Sequence, residues 1–137
     1  MVGASATWTR PSNFAMKYLL KKGFKVIPVN PNAAVKKICG ETVFPDLSSL
    51  PGTVDMVDIF RPAEDAPELV EEAIKIGAKV FWMQLEIRHA EAAKRAEEAG
   101  LQVVMDRCPK IEYARLTGEL GWNGINTGVI SNRRKRL

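Results

Sequence analysis

The sequence has 137 residues, of which 46% are hydrophobic and 26% charged, with a net charge of +4; this mixture is typical of one folded domain. No apolar run approaches the ~18 residues of a membrane span, and the first residues lack a signal-peptide pattern, so we expect a cytoplasmic protein without a membrane partner. One histidine and two separated cysteines are too few for a Cys/His zinc site, so no metal is expected.

The first predicted helix spans residues 12–22. Phe14, Tyr18 and Leu19 share one apolar stripe at helical spacing. Gly23 suits the left-handed position that closes a helix. The apolar and β-branched run Phe24–Val29 predicts a buried strand that ends in a turn at Asn30.

The later elements repeat this alternation of apolar runs and helices closed by glycine. In chain order they are a short strand Thr42–Phe44, a strand Val54–Phe60, a helix from Pro62 to Gly77, a strand Lys79–Gln84, a helix His89–Ala99, a strand Leu101–Asp106 and a helix Ile111–Leu116. This pattern predicts an α/β, doubly wound domain over residues 1–116, with a mainly parallel sheet of about five strands. Residues 117–137 are expected to form an irregular, basic tail.

The start of the chain departs from this pattern. A doubly wound domain opens with a strand of about five residues that leads into the phosphate loop. Here only Met1 and Val2 precede Gly3. We therefore expect a native protein that carries further residues upstream of Met1; without them, the central strand of the sheet would be short.

The segment Gly3-Ala4-Ser5, followed by Arg10-Pro11-Ser12-Asn13 and a helix, has the layout of a strand–loop–helix phosphate site. Glycine lets the backbone approach a ligand, and the helix start offers N–H groups, hydroxyls and a guanidinium. An ordinary strand–helix turn explains the segment as well, since it lacks the Gly-x-Gly-x-x-Gly fingerprint.

Basic residues are concentrated at the start of the chain. Residues 1–40 contain seven basic residues and no acidic one, because the first carboxylate belongs to Glu41. This block indicates either a polyanionic partner or a solvated lysine face on the first helix. A dinucleotide site needs a carboxylate about 20 residues after the glycines for the ribose diol. NAD is therefore disfavoured, whereas NADP stays open.

Several motifs in register extend the signal beyond the loop. They are Gly3-Ala4-Ser5, Arg10-Pro11-Ser12-Asn13, Pro28-Val29-Asn30-Pro31, Val57-Asp58-Ile59-Phe60-Arg61, Trp82-Met83-Gln84 and Asp106-Arg107-Cys108. In order and spacing they resemble the stand-alone CoA-binding protein family, which is related to the N-terminal CoA-binding domain of the succinyl-CoA synthetase alpha subunit. The resemblance covers about residues 2–116 and implies a three-layer, Rossmann-like fold.

The resemblance also implies roles for the motif residues. The CoA phosphates would meet Gly3, Ala4, Ser5 and Arg10, next to Ser12 and Asn13 at the helix start; the adenosine would lie by Val29, Asn30, Pro31 and Asn32, and the pantetheine by Phe60, Arg61 and Gln84. Structural roles remain the alternatives: a turn former at Asn30, a core side chain at Phe60, a surface charge at Arg61 and a strand-end hydrogen bonder at Gln84.

Cys108 follows a strand and adjoins Arg107, a cation that would favour the thiolate. A mixed disulfide with the CoA thiol is one interpretation, and a half-buried structural cysteine is the other. His89, the single histidine, suits a surface position on a helix better than acid–base work.

The sequence therefore predicts a module that binds coenzyme A or an acyl-CoA without catalysis of its own. Two alternatives remain open: an NADP-linked oxidoreductase-like domain, and a regulatory or partner subunit of an acyl-CoA synthetase. A homodimer is a further expectation for its assembly. The cluster Arg133–Arg136 is too short to favour nucleic acid as a partner.

Overall fold

The computed structural model describes residues 1–117. Its helices are α1 (Pro11–Lys21), α2 (Ala66–Lys75), α3 (Ala90–Glu98) and α4 (Pro109–Thr117), and a 3₁₀ turn at Ala63–Asp65 precedes α2. Its strands are β1 (Lys37–Ile38), β2 (Glu41–Thr42), β3 (Met56–Ile59), β4 (Val80–Met83) and β5 (Gln102–Val104). Within the described part of the chain, no helix is long and apolar enough to cross a membrane.

The main sheet is parallel. Strands β3, β4 and β5 lie side by side in that order, with Ile59 opposite Met83 and Trp82 opposite Val104. Each is an apolar run followed by a helix, so each crossover returns the chain to the same edge of the sheet. The carboxyl ends of these strands therefore meet on one side.

Single bridges extend the sheet beyond β3. Val2 pairs in parallel with both Ile59 and Val29, and Val29 pairs in parallel with Phe44. The Val2 N–H donates to Asp58 O at 2.8 Å, and the Val2 carbonyl accepts from Phe60 N at 2.8 Å. Numbered along the chain, the sheet positions run third, second, first, fourth, fifth, sixth, which is the doubly wound order.

Val2 thus occupies the point at which the strand order reverses. The predicted α/β, doubly wound fold is confirmed, and Val2 marks the position of its central strand. Ligands of such sheets bind outside the carboxyl end of the strands at this reversal. In this chain, that place is the loop that begins at Gly3.

Helices cover both faces of the sheet. On one face, α2 and α3 pack over Val57, Ile59, Phe81 and Met83, all of which are buried. On the other face, α1 lies against α4, and a second buried cluster contains Ala15, Met16, Leu19 and Ile38. Burial of each large apolar side chain stabilises the fold by about 1.5–3 kcal/mol.

Two local predictions need correction. The predicted strand Thr42–Phe44 is wrong, because Thr42 belongs to a β1–β2 hairpin and Phe44 makes only one bridge. The turn of that hairpin is Cys39-Gly40, both at positive φ, as a two-residue hairpin turn requires. The second helix begins at Ala66 rather than at Pro62, because a 3₁₀ turn intervenes. The predicted tail lies almost wholly outside the described residues.

Candidate ligand-binding site

Gly3 fits its position only because it lacks a side chain. Its φ is +81°, and a Cβ on this residue would lie 2.4 Å from the carbonyl oxygen of Phe60 and 3.1 Å from Cδ of Arg61. Both the left-handed backbone and the close approach of two strand ends therefore require glycine. The same contact brings two predicted site residues from the end of β3 to the loop.

The rest of the loop is held by side chains from neighbouring elements. The Asn30 amide donates to Ala4 O at 2.9 Å, and the Asn30 Oδ1 accepts from Asn32 N at 2.9 Å. From α1, the Ser12 hydroxyl accepts from Ser5 N at 3.1 Å. These bonds fix the loop from both flanking segments.

Ser12 and Asn13 are buried in the first turn of α1. The Asn13 amide donates to Ser5 O at 2.8 Å, so the side chains of both residues are bonded to the loop backbone. The structure therefore places these two predicted ligand residues beneath the loop. Their contribution is to hold its shape.

The start of α1 favours an anion. No side chain caps this helix, its first turn contains no acidic residue, and Pro11 stands at the first helical position. Arg10 immediately precedes the helix and is exposed. The positive end of the helix dipole and a free guanidinium therefore lie at the same end of the loop.

The predicted residues at the ends of β3 and β4 have different surroundings. Phe60 is half-buried, whereas Arg61 is exposed and its Nε donates to Asp65 Oδ2 at 2.7 Å. An ion pair so open to water is worth less than about 1 kcal/mol, so a ligand phosphate can compete for Arg61. Gln84 is buried, and its amide donates to Asp58 Oδ1 at 2.5 Å.

Asp58 is a buried carboxyl that sequence reasoning missed. Burial raises its pKa to about 6, although the Gln84 hydrogen bond and the Met1 ammonium group both oppose this rise. Its Oδ2 accepts no hydrogen bond from any described residue. The sequence signal that could have indicated this buried carboxyl was a lone acidic residue within the otherwise apolar strand Met56–Ile59.

Cys108 is a buried residue, as its structural interpretation requires. It is 8% exposed, and burial raises the pKa of its thiol, with the nearby Asp58 carboxylate adding to the rise. The guanidinium of Arg107 instead donates to Asp106 O at 2.8 Å. The expectation that Arg107 favours a thiolate is therefore wrong, because desolvation outweighs a neighbouring cation that points elsewhere.

His89 has a structural role, and Trp8 is a surface side chain. His89 is the N-cap of α3, where its Nδ1 accepts from Ala92 N at 3.1 Å. Trp8, in the loop before α1, is exposed. Across residues 1–117, no cluster of three or more His, Cys, Asp or Glu side chains is placed to hold a metal ion.

The predicted residues other than Arg10 thus fall into two groups. Gly3, Ala4, Ser5, Ser12, Asn13, Asn30, Phe60 and Arg61 are linked by the contacts above, and Val29 joins them because its carbonyl accepts from Gly3 N at 2.9 Å. Pro31 and Asn32 form an exposed turn beside Asn30. Gln84 and Cys108 form the second group, around Asp58.

Comparison with known proteins gives a consistent result. The profile of the family described as CoA binding domain matches residues 1–114. YneT of Bacillus subtilis is 33% identical over 114 residues, which are 83% of each chain.

Two further relatives place this similarity in a larger context. A segment of 81 residues, 58% of this chain, is 37% identical to the ADP-forming acetate–CoA ligase II of Archaeoglobus fulgidus and spans 12% of that ligase. The solved structure of a hypothetical protein from Pyrococcus horikoshii is 43% identical, with a TM-score of 0.81 over 85% of this chain and 81% of that chain. The same domain thus occurs in small proteins and within a much longer ligase.

Proposed function

Because this chain belongs to the CoA binding domain family, we propose that it binds coenzyme A or an acyl-CoA at the carboxyl edge of its sheet. The observation that carries the proposal is the position of Gly3, directly after Val2 at the reversal of strand order. That position combines close backbone approach with the positive end of α1.

In the proposed complex, the diphosphate lies on Gly3-Ala4-Ser5. The loop is already fixed by Asn30, Ser12 and Asn13, so binding orders little additional backbone. Arg10 adds a charge-assisted hydrogen bond, which is worth about 1.5–3 kcal/mol. No carboxylate in residues 1–40 repels the phosphates.

The two ends of the ligand are directed by the neighbouring strand ends. The adenosine lies against the turn Val29–Asn32, next to the side chain that bonds Ala4. The pantetheine runs past Phe60 and Arg61, which adjoin Gly3, toward Gln84 and Cys108. Because the pKa of the Cys108 thiol is raised, we propose that Cys108 lines this path and does not form a mixed disulfide with CoA.

NADP is the rival ligand. At the strand end where NAD sites carry a carboxylate for the ribose diol, this chain has the Asn30 amide, which donates to Ala4 O at 2.9 Å. That disfavours NAD, and the ligand panel below distinguishes NADP from CoA. We also propose that the chain has no catalysis of its own. Its similarity to 12% of an acetate–CoA ligase favours, as a second candidate function, a partner role beside an acyl-CoA enzyme.

A panel of ligands tests the proposal. CoA, dephospho-CoA, NAD and NADP are each added to the full chain, and the melting temperature Tm is measured. A ligand that binds only the folded state stabilises it by about 2.7 kcal/mol at a hundredfold excess over its Kd. CoA is expected to raise Tm, whereas a rise with NADP but not with CoA would overturn the proposal.

A charge reversal tests the phosphate contact. Arg10→Glu is expected to weaken CoA binding at least tenfold, since about 1.4 kcal/mol corresponds to a factor of ten. Lys75→Glu is the matched control, because it changes net charge equally at the exposed end of α2, on the opposite edge of the sheet. Equal Kd values for the two variants would remove Arg10 from the site.

A further inference from the structure

Asp58 has a carboxylate oxygen for which the described residues provide no partner. The residue is 4% exposed, and its Oδ2 accepts no hydrogen bond from residues 1–117. Its Oδ1 accepts from the Gln84 amide, and the Met1 ammonium group donates to Ile27 O at 3.0 Å. Buried polar atoms are nearly always hydrogen-bonded, because an unsatisfied acceptor loses its hydration without compensation. The unpaired oxygen therefore indicates a place for an external donor.

Asp58 also lines a mostly apolar cavity of about 590 Å³ between α1, α4 and the sheet. Trp82 and Pro109 are among the other lining residues. This part of the cavity adjoins the second group of predicted residues, since Gln84 bonds Asp58 and Cys108 directly precedes Pro109. The negative charge of Asp58 is near enough to Cys108 to help raise the pKa of its thiol. A ligand that follows the proposed path toward Gln84 and Cys108 therefore ends beside Asp58.

The chemistry of the two forms of the coenzyme differs at this place. The inference rests on the proposed function, in which the pantetheine arm runs toward Gln84 and Cys108. Since the pKa of Asp58 is about 6, most of its carboxyl is ionised at neutral pH, and its oxygens can then only accept hydrogen bonds. The pantetheine arm of free CoA ends in a thiol, whose S–H is a donor. In an acyl-CoA, the same sulfur has no proton and adjoins a carbonyl oxygen, which is a second acceptor.

We propose that Asp58 Oδ2 accepts a hydrogen bond from the thiol of free CoA and thereby selects CoA over acyl-CoA. The Gln84 amide is bonded to Oδ1, which leaves Oδ2 for the ligand. An acyl group on the sulfur leaves Oδ2 unpaired and brings a second acceptor against it. A site that is built around a hydrogen bond rejects an analogue without the donor, because its own buried group then stays unpaired. The chain thus recognises the coenzyme in its free-thiol form.

Calorimetric titrations of the full chain with CoA, desulfo-CoA and acetyl-CoA test the proposal. Desulfo-CoA differs from CoA only in that hydrogen replaces the thiol. At neutral pH, CoA is expected to bind at least about fivefold more tightly than either analogue, since it alone satisfies Oδ2. If CoA binds no more tightly than either analogue, water and not the ligand satisfies Oδ2; the inference is then overturned and the proposed function stands. If none of the three ligands binds, both are overturned.

Asp58→Asn in the same titrations tests whether the carboxylate causes the preference. With its oxygen kept for Gln84, the variant presents an amide N–H, a donor, where Asp58 presents an acceptor. The preference for CoA over acetyl-CoA should therefore fall below about twofold or reverse. Asp55→Asn is the matched control, because it removes the same charge from an exposed side chain that pairs with Lys79 at 2.8 Å; it should leave the preference unchanged. A preference that persists in Asp58→Asn, or that Asp55→Asn removes equally, would overturn the proposal.

Discussion

Substitution of Gly3 by alanine is the sharpest perturbation of the loop that this structure suggests. The new Cβ would stand 2.4 Å from a backbone oxygen, that of Phe60, and 3.0 Å from its carbonyl carbon. Neither atom can rotate away as a flexible side chain can. The strand end that contains Val2 and the end of β3 must therefore move apart.

Two costs combine at this position. The first is the left-handed backbone, which costs an L side chain about 1–2 kcal/mol. The second is the overlap with Phe60, and forced displacement in a well-packed region costs about 1–3 kcal/mol more. We therefore expect Gly3→Ala to lower the free energy of unfolding by about 2–5 kcal/mol.

Gly77→Ala separates the two costs. Gly77 ends α2 with a φ of +72°, close to that of Gly3, and a Cβ there would meet no atom within 4 Å. Only the backbone cost applies to it. In urea unfolding, Gly3→Ala should be less stable than Gly77→Ala by about 1–3 kcal/mol. CoA binding should weaken in Gly3→Ala alone, because only that change displaces the loop.

Equal losses in the two glycine variants would refute this reasoning. They would mean that the end of β3 yields freely to a side chain at residue 3, so that close approach is not what requires glycine there. Unaltered CoA affinity in Gly3→Ala would separately refute the position proposed for the diphosphate.

Two further substitutions test the residues around the loop. Asp58→Asn keeps an acceptor for Gln84 and removes a buried charge. Because the folded pKa of Asp58, about 6, lies above its ordinary value of 3.8, the wild type should lose about 3 kcal/mol of stability as pH rises through that window. In urea unfolding, Asp58→Asn should lack this loss and should be more stable than the wild type at pH 7. If the free energies of unfolding of the two proteins followed parallel pH profiles, this expectation would be wrong. Asn30→Asp removes the donor to Ala4 O and adds negative charge, so calorimetry should give a CoA Kd at least tenfold weaker, about 1.4 kcal/mol; an unchanged Kd would exclude Asn30 from the site.

The layered fold was predictable because its signals are local. Apolar runs such as Val80–Met83 and helix-ending glycines such as Gly77 fix strand and helix order without knowledge of tertiary contacts. The β1–β2 hairpin was not predictable in this way. Two-residue strands carry no periodicity, and its turn places Cys39 in the left-handed region, which cysteine rarely adopts.

The site was predictable as a set of motifs but not as a set of roles. Gly3 and Arg10 were recognised from residue type and spacing, whereas the loop-supporting roles of Ser12 and Asn13 depend on tertiary hydrogen bonds. The burial of Asp58 and the raised pKa of Cys108 arise from residues distant in sequence, so a charged neighbour in the chain was a poor guide.

Calorimetric titration of CoA into the full chain tests the central claim most directly. We expect saturable binding of one CoA per chain, with a Kd that Arg10→Glu raises at least tenfold and Lys75→Glu leaves unchanged. The contrary result would be that NADP saturates the chain whereas CoA, at the same concentrations, does not bind.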